Sequence, residues 1–217
     1  MRSPLRSHKK TGPKPTFTAD EAIDAVFDIG LDRFTLGQVA EKLGVATSAL
    51  YRLFKSREDL MEACLARVSS EYPPPEGDSA DALLRDYANK VWELMDTHPG
   101  LDLLFVQFSA TSRFIAPHLN ALINALEDIA GWDVEIGLLA VDTVTNIIMA
   151  THAAAASFNN VKDDTDIAQP TRGNIVLFSR LKWRDQANLD TKLDFLIPAF
   201  AAEAERRAQE SGTTTRG

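Results

Sequence analysis

The chain has a single cysteine, Cys64, among 217 residues. One thiol excludes an internal disulfide framework and a metal site built from cysteines. The first residues are polar and basic without an apolar core segment, so we expect no secretory signal peptide. The longest uncharged stretch, residues 143–161, contains Asn, Thr, His and Ser, which argues against a membrane span. These features predict a soluble, cytoplasmic protein with no membrane partner.

Sequence signatures of catalysis are also missing. There is no glycine-rich phosphate loop, no nucleophile elbow and no cluster of residues at metal-ligand spacing. No pair among His98, His118 and His152 has the spacing of helical zinc ligands. Strand-like alternation and internal repeats are absent as well. The sequence therefore predicts an all-α fold with no enzymatic activity, no metal and no cofactor.

The net charge of −8 is unevenly distributed. Residues 1–57 hold ten Lys/Arg and six Asp/Glu, a balance of +4, which leaves −12 for the rest of the chain. The overall composition, 45% hydrophobic and 25% charged, is that of an ordinary globular protein. A basic end on an acidic body indicates binding of a polyanion through that end. The alternative is a basic disordered tail on an unrelated acidic domain.

Helix signals are dense after residue 17. Thr18–Glu21 and Thr35–Gln38 have the composition and spacing of capping boxes, which start helices. Gly44 stands where the second of these helices should end. A third, short helix is predicted over residues 47–54, and a longer one over residues 56–68. Two short helices joined by a turn are typical of a helix-turn-helix unit.

The composition changes at the three prolines of residues 73–75. Beyond them, helical periodicity marks residues 80–97, 101–113, 117–130, 134–157 and 189–207. Pro198 predicts a kink or a break in the last of these helices. The acidic residues 158–172 are predicted to form a mobile loop, and residues 174–183 are compatible with a helix or a strand.

Many positions between residues 17 and 60 keep a distinctive spacing. They are Ala22, Phe27, Gly30, Thr35, Val39, Ala40, Leu43, Gly44, Val45, Leu50, Tyr51, Phe54, Arg57 and Leu60. The segment resembles the DNA-binding domain of the TetR family of bacterial transcriptional regulators. The resemblance implies a three-helix DNA-binding head and an all-helical body that dimerises and holds a small-molecule effector.

The resemblance also implies the organisation of the chain. A flexible basic arm is expected at residues 1–16, a helix-turn-helix domain at 17–57, and a helical regulatory domain for effector binding and dimerisation at 58–217. Where the family usually has a small hydroxyl residue that caps the recognition helix, this chain has Ala46. Thr47 is therefore expected to serve as the cap.

A recognition helix enters the major groove and exposes the face opposite its packing residues. With Leu50 and Phe54 packed inside, the helix presents a polar outer face. The outward residues are Thr47, Ser48, Tyr51, Arg52 and Lys55. Thr47, Ser48 and Arg52 have the chemistry to contact base edges, and Arg52 can pair bidentately with guanine.

Other residues are expected at the phosphates. The resemblance makes Tyr51 a phosphate contact, although packing against the first helix is an alternative. Lys55 and Arg57 suit phosphate neutralisation, unless they are simply solvated charges, and Thr35 caps a helix whose N-terminus could bind a phosphate. The arm, if it is more than a solubilising tail, contributes Lys9, Lys10 and Lys14 to the backbone or the minor groove.

An effector pocket is expected in the body. Its candidate lining residues are Trp92, Phe105, Phe108, Asn146, Met149 and His152. The aromatic residues and methionine are equally compatible with core packing. Asn146 and His152 are informative because polar side chains on apolar helices need partners when they are buried.

Together these features predict a DNA-binding transcriptional regulator. We expect a homodimeric repressor on a palindromic double-stranded operator, released by a small apolar or amphipathic ligand. One alternative is a TetR-like protein without ligand control that acts through a protein partner. The other is a helical enzyme with an appended basic head.

Overall fold

The computed structural model describes residues 17–107, 111–159 and 186–214. Every regular element in these residues is a helix, which confirms the predicted all-α fold. The helices are α1 (Ala19–Ile29), α2 (Leu36–Lys42), α3 (Thr47–Leu50), α4 (Arg57–Glu71), α5 (Ala80–Thr97), α6 (Leu101–Gln107), α7 (Thr111–Ala130), α8 (Val134–Asn159) and α9 (Gln186–Thr214). The chain divides into two compact units, a head that ends at Cys64 and a body that begins at Leu65.

Both predicted capping boxes are formed. Thr18 Oγ1 accepts a hydrogen bond from the Glu21 amide at 3.2 Å, and Glu21 Oε2 accepts one from the Thr18 amide at 2.7 Å. Thr35 and Gln38 repeat this arrangement at the start of α2, with distances of 3.2 and 2.9 Å. Each box gives partners to amides that the first turn of a helix leaves unpaired. Nearby residues therefore fix where α1 and α2 begin.

The turn after α2 is a Schellman motif. The Gly44 amide donates to Glu41 O at 3.0 Å, and the Val45 amide donates to Ala40 O at 2.9 Å. Gly44 has a φ of +67°, a left-handed conformation that glycine adopts without a steric penalty. The predicted role of Gly44 as a helix terminator is confirmed.

The α-helical part of α3 is shorter than predicted. It covers Thr47–Leu50, and the chain then continues to Phe54 as turns in which Arg52 and Leu53 donate to carbonyls three residues back. Ala46 is the N-cap residue and no side chain caps the helix, so the expectation that Thr47 is the cap was wrong. A single turn with no cap has little stability of its own, and its position depends on the burial of Leu50.

Pro117 accounts for one difference between the predicted and the observed helices of the body. Helix α5 has the predicted bounds, but α6 ends at Gln107 and α7 begins at Thr111, well before Pro117. Because proline lacks an amide hydrogen, the sequence favours Pro117 as the start of a helix. In the structure Pro117 is exposed inside α7, where water can take the place of the lost hydrogen bond.

Helices α8 and α9 are longer than predicted. Helix α9 continues through Pro198 without the break that the sequence allowed. Helix α8 ends at Asn159 and so includes the first two residues of the predicted loop. The rest of that loop, residues 160–172, and the segment 174–183 lie outside the described residues.

Helix α8 lies at the centre of the body, packed against α5, α7 and α9. Its residues Ile136, Val144 and Ile148 are fully buried, together with Leu84 of α5 and Leu189 of α9. Among the described helices, α8 alone is long and apolar enough to cross a membrane, with a mean hydropathy of 1.5 over residues 134–156. Its buried residues belong to the body core, whereas Leu138 and Leu139 are exposed.

Candidate nucleic-acid interface and ligand cavity

The recognition segment, residues 47–55, exposes polar side chains around two buried anchors. The anchors are Leu50 and Phe54, with 0% and 6% of their surface exposed. The exposed residues are Thr47, Ser48, Tyr51, Arg52 and Lys55. Tyr51 is 56% exposed, so packing against α1 does not explain its position. The structure thus presents at the surface all five residues that the sequence assigns to the outer face.

The start of α4 limits the recognition segment on its C-terminal side. Ser56 Oγ accepts a hydrogen bond from the Asp59 amide at 3.1 Å, and Asp59 Oδ2 accepts one from the Lys55 amide at 2.8 Å. These reciprocal bonds cap α4. They hold the backbone of Lys55 in place and leave its ammonium group exposed for an anion.

Arg57 is engaged within the head. Its Nε donates to Phe34 O at 2.9 Å, its Nη2 lies 3.4 Å from Asp32 O, and its guanidinium stacks 4.4 Å from the centre of the Phe34 ring. The side chain is half-buried. This geometry makes Arg57 a link between α4 and the loop before α2, and its predicted phosphate contact stays a prediction. The contact with Phe34 spans 23 residues, so local sequence gives no signal for it.

Thr35 and the basic arm are the other predicted DNA contacts. The Thr35 hydroxyl is exposed but committed to its capping box, since it accepts from the Gln38 amide and lies 3.0 Å from Gln38 Oε1. A phosphate at this helix end would therefore bind the backbone amides. The arm residues Lys9, Lys10 and Lys14 lie outside the described residues, and their contact with DNA stays a prediction.

The body contains a cavity of about 50 Å³, bordered by residues 65–72, α5, α6, α7 and α8. Of the predicted lining residues, Phe105 and Met149 border it. Its polar lining residues are Ser69, Tyr72, Tyr87, His118 and Thr145. Tyr72 and Tyr87 are not apparent as lining residues from the sequence, because helical periodicity identifies buried positions without showing which of them border a cavity.

Most polar groups of this cavity are paired with one another. Ser69 Oγ lies 2.9 Å from both Phe114 O and His118 Nε2. The hydroxyls of Tyr87 and Thr145 are 2.6 Å apart. Burial raises the pKa of Tyr87 to about 12 and also raises the pKa of Tyr72. Both phenols therefore stay protonated near neutral pH and remain hydrogen-bond donors.

Trp92 and His152 border a different, more open groove of about 460 Å³. His152 Nε2 lies 3.1 Å from Asp96 Oδ1, and its Nδ1 is 3.5 Å from Asp102 Oδ2. Interaction with Asp102 raises the pKa of His152 and lowers that of Asp102. Trp92 packs edge-on against the imidazole, with 5.0 Å between ring centres. The predicted single pocket is thus divided, and His152 is partnered by carboxylates.

One predicted pocket residue, Asn146, lines neither space. Asn146 is exposed on α8 and donates from Nδ2 to Asp142 Oδ2 at 3.2 Å. Its assignment to the pocket is therefore corrected, because it lies on the face of α8 that is turned away from the core. Phe108 lies outside the described residues. Across the described part of the chain, no group of three or more His, Cys, Asp or Glu residues could hold a metal ion.

The described residues thus form a helix-turn-helix head and an all-helical body with an internal cavity. Residues 20–64 match the family model for bacterial regulatory proteins of the tetR family. This match covers the helix-turn-helix part of the chain. It is 30% identical over 145 residues to the HTH-type transcriptional repressor DrrR1 of Streptomyces coeruleorubidus. That alignment covers 64% of this chain and 51% of the relative, so the chain spans about half the length of DrrR1.

Solved structures of similar fold include ligand complexes. The Streptomyces coelicolor TetR family protein ActR in complex with actinorhodin is 15% identical, with a TM-score of 0.64, over 89% of this chain and 99% of that one. TetR-Q116A from Acinetobacter baumannii AYE in complex with minocycline is 18% identical, with a TM-score of 0.58, over 87% and 91% of the two chains. At these identities the likeness establishes the fold.

Proposed function

We propose that this protein is a cytoplasmic, homodimeric transcriptional repressor that binds a palindromic operator through its recognition segment and is released by a small ligand. The observation that carries the proposal is the outward set of hydroxyl, phenol and basic side chains around Leu50 and Phe54. A short helix that presents such groups can read base edges in the major groove while its neighbours contact phosphates. The similarity to DrrR1, a transcriptional repressor by name, supports repression as the outcome.

The charge distribution of the chain supports binding of DNA through its basic end. Residues 1–57 carry +4 and the remainder −12. Phosphates attract the basic end and repel the acidic body, which favours encounters in which the head meets the duplex.

A second copy of the chain is the partner that the body surface fits. Helices α8 and α9 expose large apolar side chains, among them Leu138 and Leu139 at 52% and 48% and Phe195 at 79%. Exposed apolar patches of this kind mark interaction sites, and symmetric pairing is the commonest way to cover them. A dimer formed there would have to place its two recognition segments about 34–36 Å apart to reach successive major grooves.

Ligand control would act through the body. Helix α4 belongs to the head up to Cys64 and to the body from Leu65, and its body residues Leu65, Val68 and Ser69 line the cavity. A ligand that displaces these residues can shift α4 and with it the spacing of the heads in a dimer. Coupling of about 1–3 kcal/mol between the two binding events weakens DNA binding roughly 5–150-fold. The ligand complexes of fold neighbours are consistent with a small molecule in a body of this kind.

The test is selection of DNA fragments by the purified full-length chain, followed by fluorescence anisotropy. The selected duplex is compared with a scrambled duplex of the same length and composition. We expect a palindromic consensus that binds about 10³-fold or more tightly than the scrambled duplex at physiological salt. Equal affinity for both duplexes would exclude a sequence-specific regulator.

A further inference from the structure

Among the described residues, the wall of the body cavity has no charged side chain. None of the described lining residues is Asp, Glu, Lys or Arg, and five of them carry aromatic rings. The rings are those of Tyr72, Tyr87, Phe105, Phe114 and His118. A charged ligand would lose its hydration there without meeting an opposite charge, which costs much free energy. The cavity therefore favours an uncharged ligand that can pack against aromatic faces and edges.

Four of the polar side chains already have partners. Ser69 donates its hydroxyl hydrogen to Phe114 O, so the contact with His118 Nε2 requires the imidazole to donate to Ser69. Thr145 likewise donates to Val141 O at 2.6 Å, so Tyr87 must donate to Thr145. These pairs leave no donor hydrogen directed at a ligand.

Tyr72 is the exception. Only 9% of its surface is exposed, and its hydroxyl has no hydrogen-bond partner among the described residues. Its ring packs edge-on against His118, with 5.0 Å between ring centres. A buried hydroxyl without a partner destabilises the protein, and an acceptor that reaches it recovers that free energy. Burial also raises the pKa of Tyr72, which keeps the phenol protonated as a donor.

We propose that this cavity binds an uncharged, largely aromatic ligand with a carbonyl or ether oxygen that accepts a hydrogen bond from the Tyr72 hydroxyl. The inference rests on the ligand-binding part of the proposed function and gives it a chemical class. The space of about 50 Å³ is smaller than the roughly 150 Å³ that holds a benzene molecule, so wall side chains must move on binding. Met149, which lines the cavity, is unbranched and adapts readily.

The experiment measures direct binding to the full-length chain without DNA. Three probes share one ring system, namely 2-acetylnaphthalene with a carbonyl, 2-ethylnaphthalene without one, and the anion 2-naphthoate. Titration calorimetry gives the affinity ratio of the ketone to the hydrocarbon in each variant. We expect Tyr72→Phe to lower this ratio about fivefold, the value of one neutral hydrogen bond. We expect 2-naphthoate to bind most weakly.

Tyr87→Phe is the matched control. It removes the same atom from the same cavity, but the Tyr87 hydroxyl is already bonded to Thr145. The ketone-to-hydrocarbon ratio should therefore stay at its wild-type value. Equal ratio changes in both variants, no change in Tyr72→Phe, tightest binding of 2-naphthoate, or no binding of any probe would overturn the proposal.

Two further measurements do not depend on the affinity of a variant. In the wild-type chain, the carbonyl stretch of bound 2-acetylnaphthalene should lie at lower wavenumber than in hexane, because the oxygen accepts a hydrogen bond. Tyr72→Phe should not lower the melting temperature, because it removes an unpaired hydroxyl. An unshifted stretch, or a Tyr72→Phe variant that fails to fold, contradicts the proposal. Specific operator binding with an unshifted stretch rejects this ligand class and leaves the DNA-binding proposal intact.

Discussion

Two arginines of the head have opposite surroundings. Arg52 is exposed in the recognition segment, and its planar guanidinium can form two parallel hydrogen bonds with one guanine. Arg57 directs its donors at the carbonyl oxygens of Phe34 and Asp32. The face of its guanidinium stacks on the Phe34 ring. Arg52 therefore suits recognition of a base, and Arg57 suits stability of the head.

Arg52→Ala and Lys55→Ala should have different effects on DNA binding. Loss of Arg52 is expected to cost about 1–3 kcal/mol per half-site on the selected operator and to relax the preference at one base pair. Loss of Lys55 should weaken binding to all sequences and reduce the salt slope by about one phosphate contact per half-site. Anisotropy titrations on selected and scrambled duplexes at several salt concentrations measure both effects.

Lys42→Ala serves as a control for the loss of one positive charge. Lys42 is in the head but outside the recognition segment, and its ammonium pairs with Asp28 at 3.1 Å. Its removal should change the affinity for the selected duplex and for the scrambled duplex only slightly. If Arg52→Ala weakens the selected and the scrambled duplex equally, then Arg52 contacts the backbone and the assignment to base recognition is wrong.

Arg57→Ala should destabilise the head by about 1–2 kcal/mol, because a half-buried charged donor and a cation–π contact are lost together. Arg57→Lys should restore only part of this, since an ammonium cannot reproduce the flat stacking geometry. Amide hydrogen exchange of α1 and α2 measures the change in the head by itself. Unchanged exchange with a shallower salt dependence of DNA binding would instead make Arg57 a phosphate contact.

The helical period was sufficient to predict which side chains of the recognition segment face outward, because it depends on Leu50 and Phe54 a few residues away. It could not predict the partner of Arg57, because Phe34 comes from another part of the chain. The cavity beside Tyr72 could not be predicted from the sequence for a similar reason. A cavity depends on how several helices pack, and no single helix encodes it.

Among the elements, the turn between α2 and α3 has the most definite backbone requirement. Gly44 has a φ of +67°, and a Cβ added there would meet no atom within 4 Å. Any cost of Gly44→Ala therefore comes from the backbone conformation, which we expect to be about 1–2 kcal/mol. The free energy of unfolding, measured by chemical denaturation, should fall by this amount.

Gly37→Ala is the matched substitution with the opposite expected sign. Gly37 is the second residue of α2, its φ is not in the left-handed region, and an added Cβ would lie 3.8 Å from Thr35 Oγ1, an ordinary contact. Alanine should stabilise the helix by about 0.5–1 kcal/mol relative to glycine. The prediction for the turn is refuted if both variants shift stability in the same direction.

Helix boundaries were predictable where a local motif sets them. The capping boxes at Thr18 and Thr35 and the Schellman turn at Gly44 involve residues within five positions of one another. The extent of α3 and the start of α7 were not predictable in this way. Leu50 is fixed by tertiary burial, and Pro117 is tolerated within a helix because it is exposed.

For the whole molecule, the proposed function gives different tasks to the basic end and the acidic body. The basic end, residues 1–57, would attract DNA, and the body has the exposed apolar side chains of α8 and α9 and the cavity. The sequence predicts this division from composition and charge, which are sums over many residues. The effector and the operator depend on a few atoms each, and sums of this kind carry no information about them.

Phe195→Glu should convert the protein from a dimer to a monomer of 23.9 kDa, as measured by light scattering at micromolar concentration. Phe195 is 79% exposed on α9, and a glutamate from each copy would bring two like charges together in an apolar contact. Because the second half-site then no longer binds as part of the same molecule, operator affinity should fall about 10²–10⁴-fold.

Leu103→Glu is the control for this prediction. Leu103 is also a large exposed apolar residue, at 42%, but it lies on α6 and not on α8 or α9. Its substitution should leave both the mass and the operator affinity unchanged. A wild-type chain that is monomeric at micromolar concentration and still binds the operator tightly would show that α8 and α9 do not form the dimer.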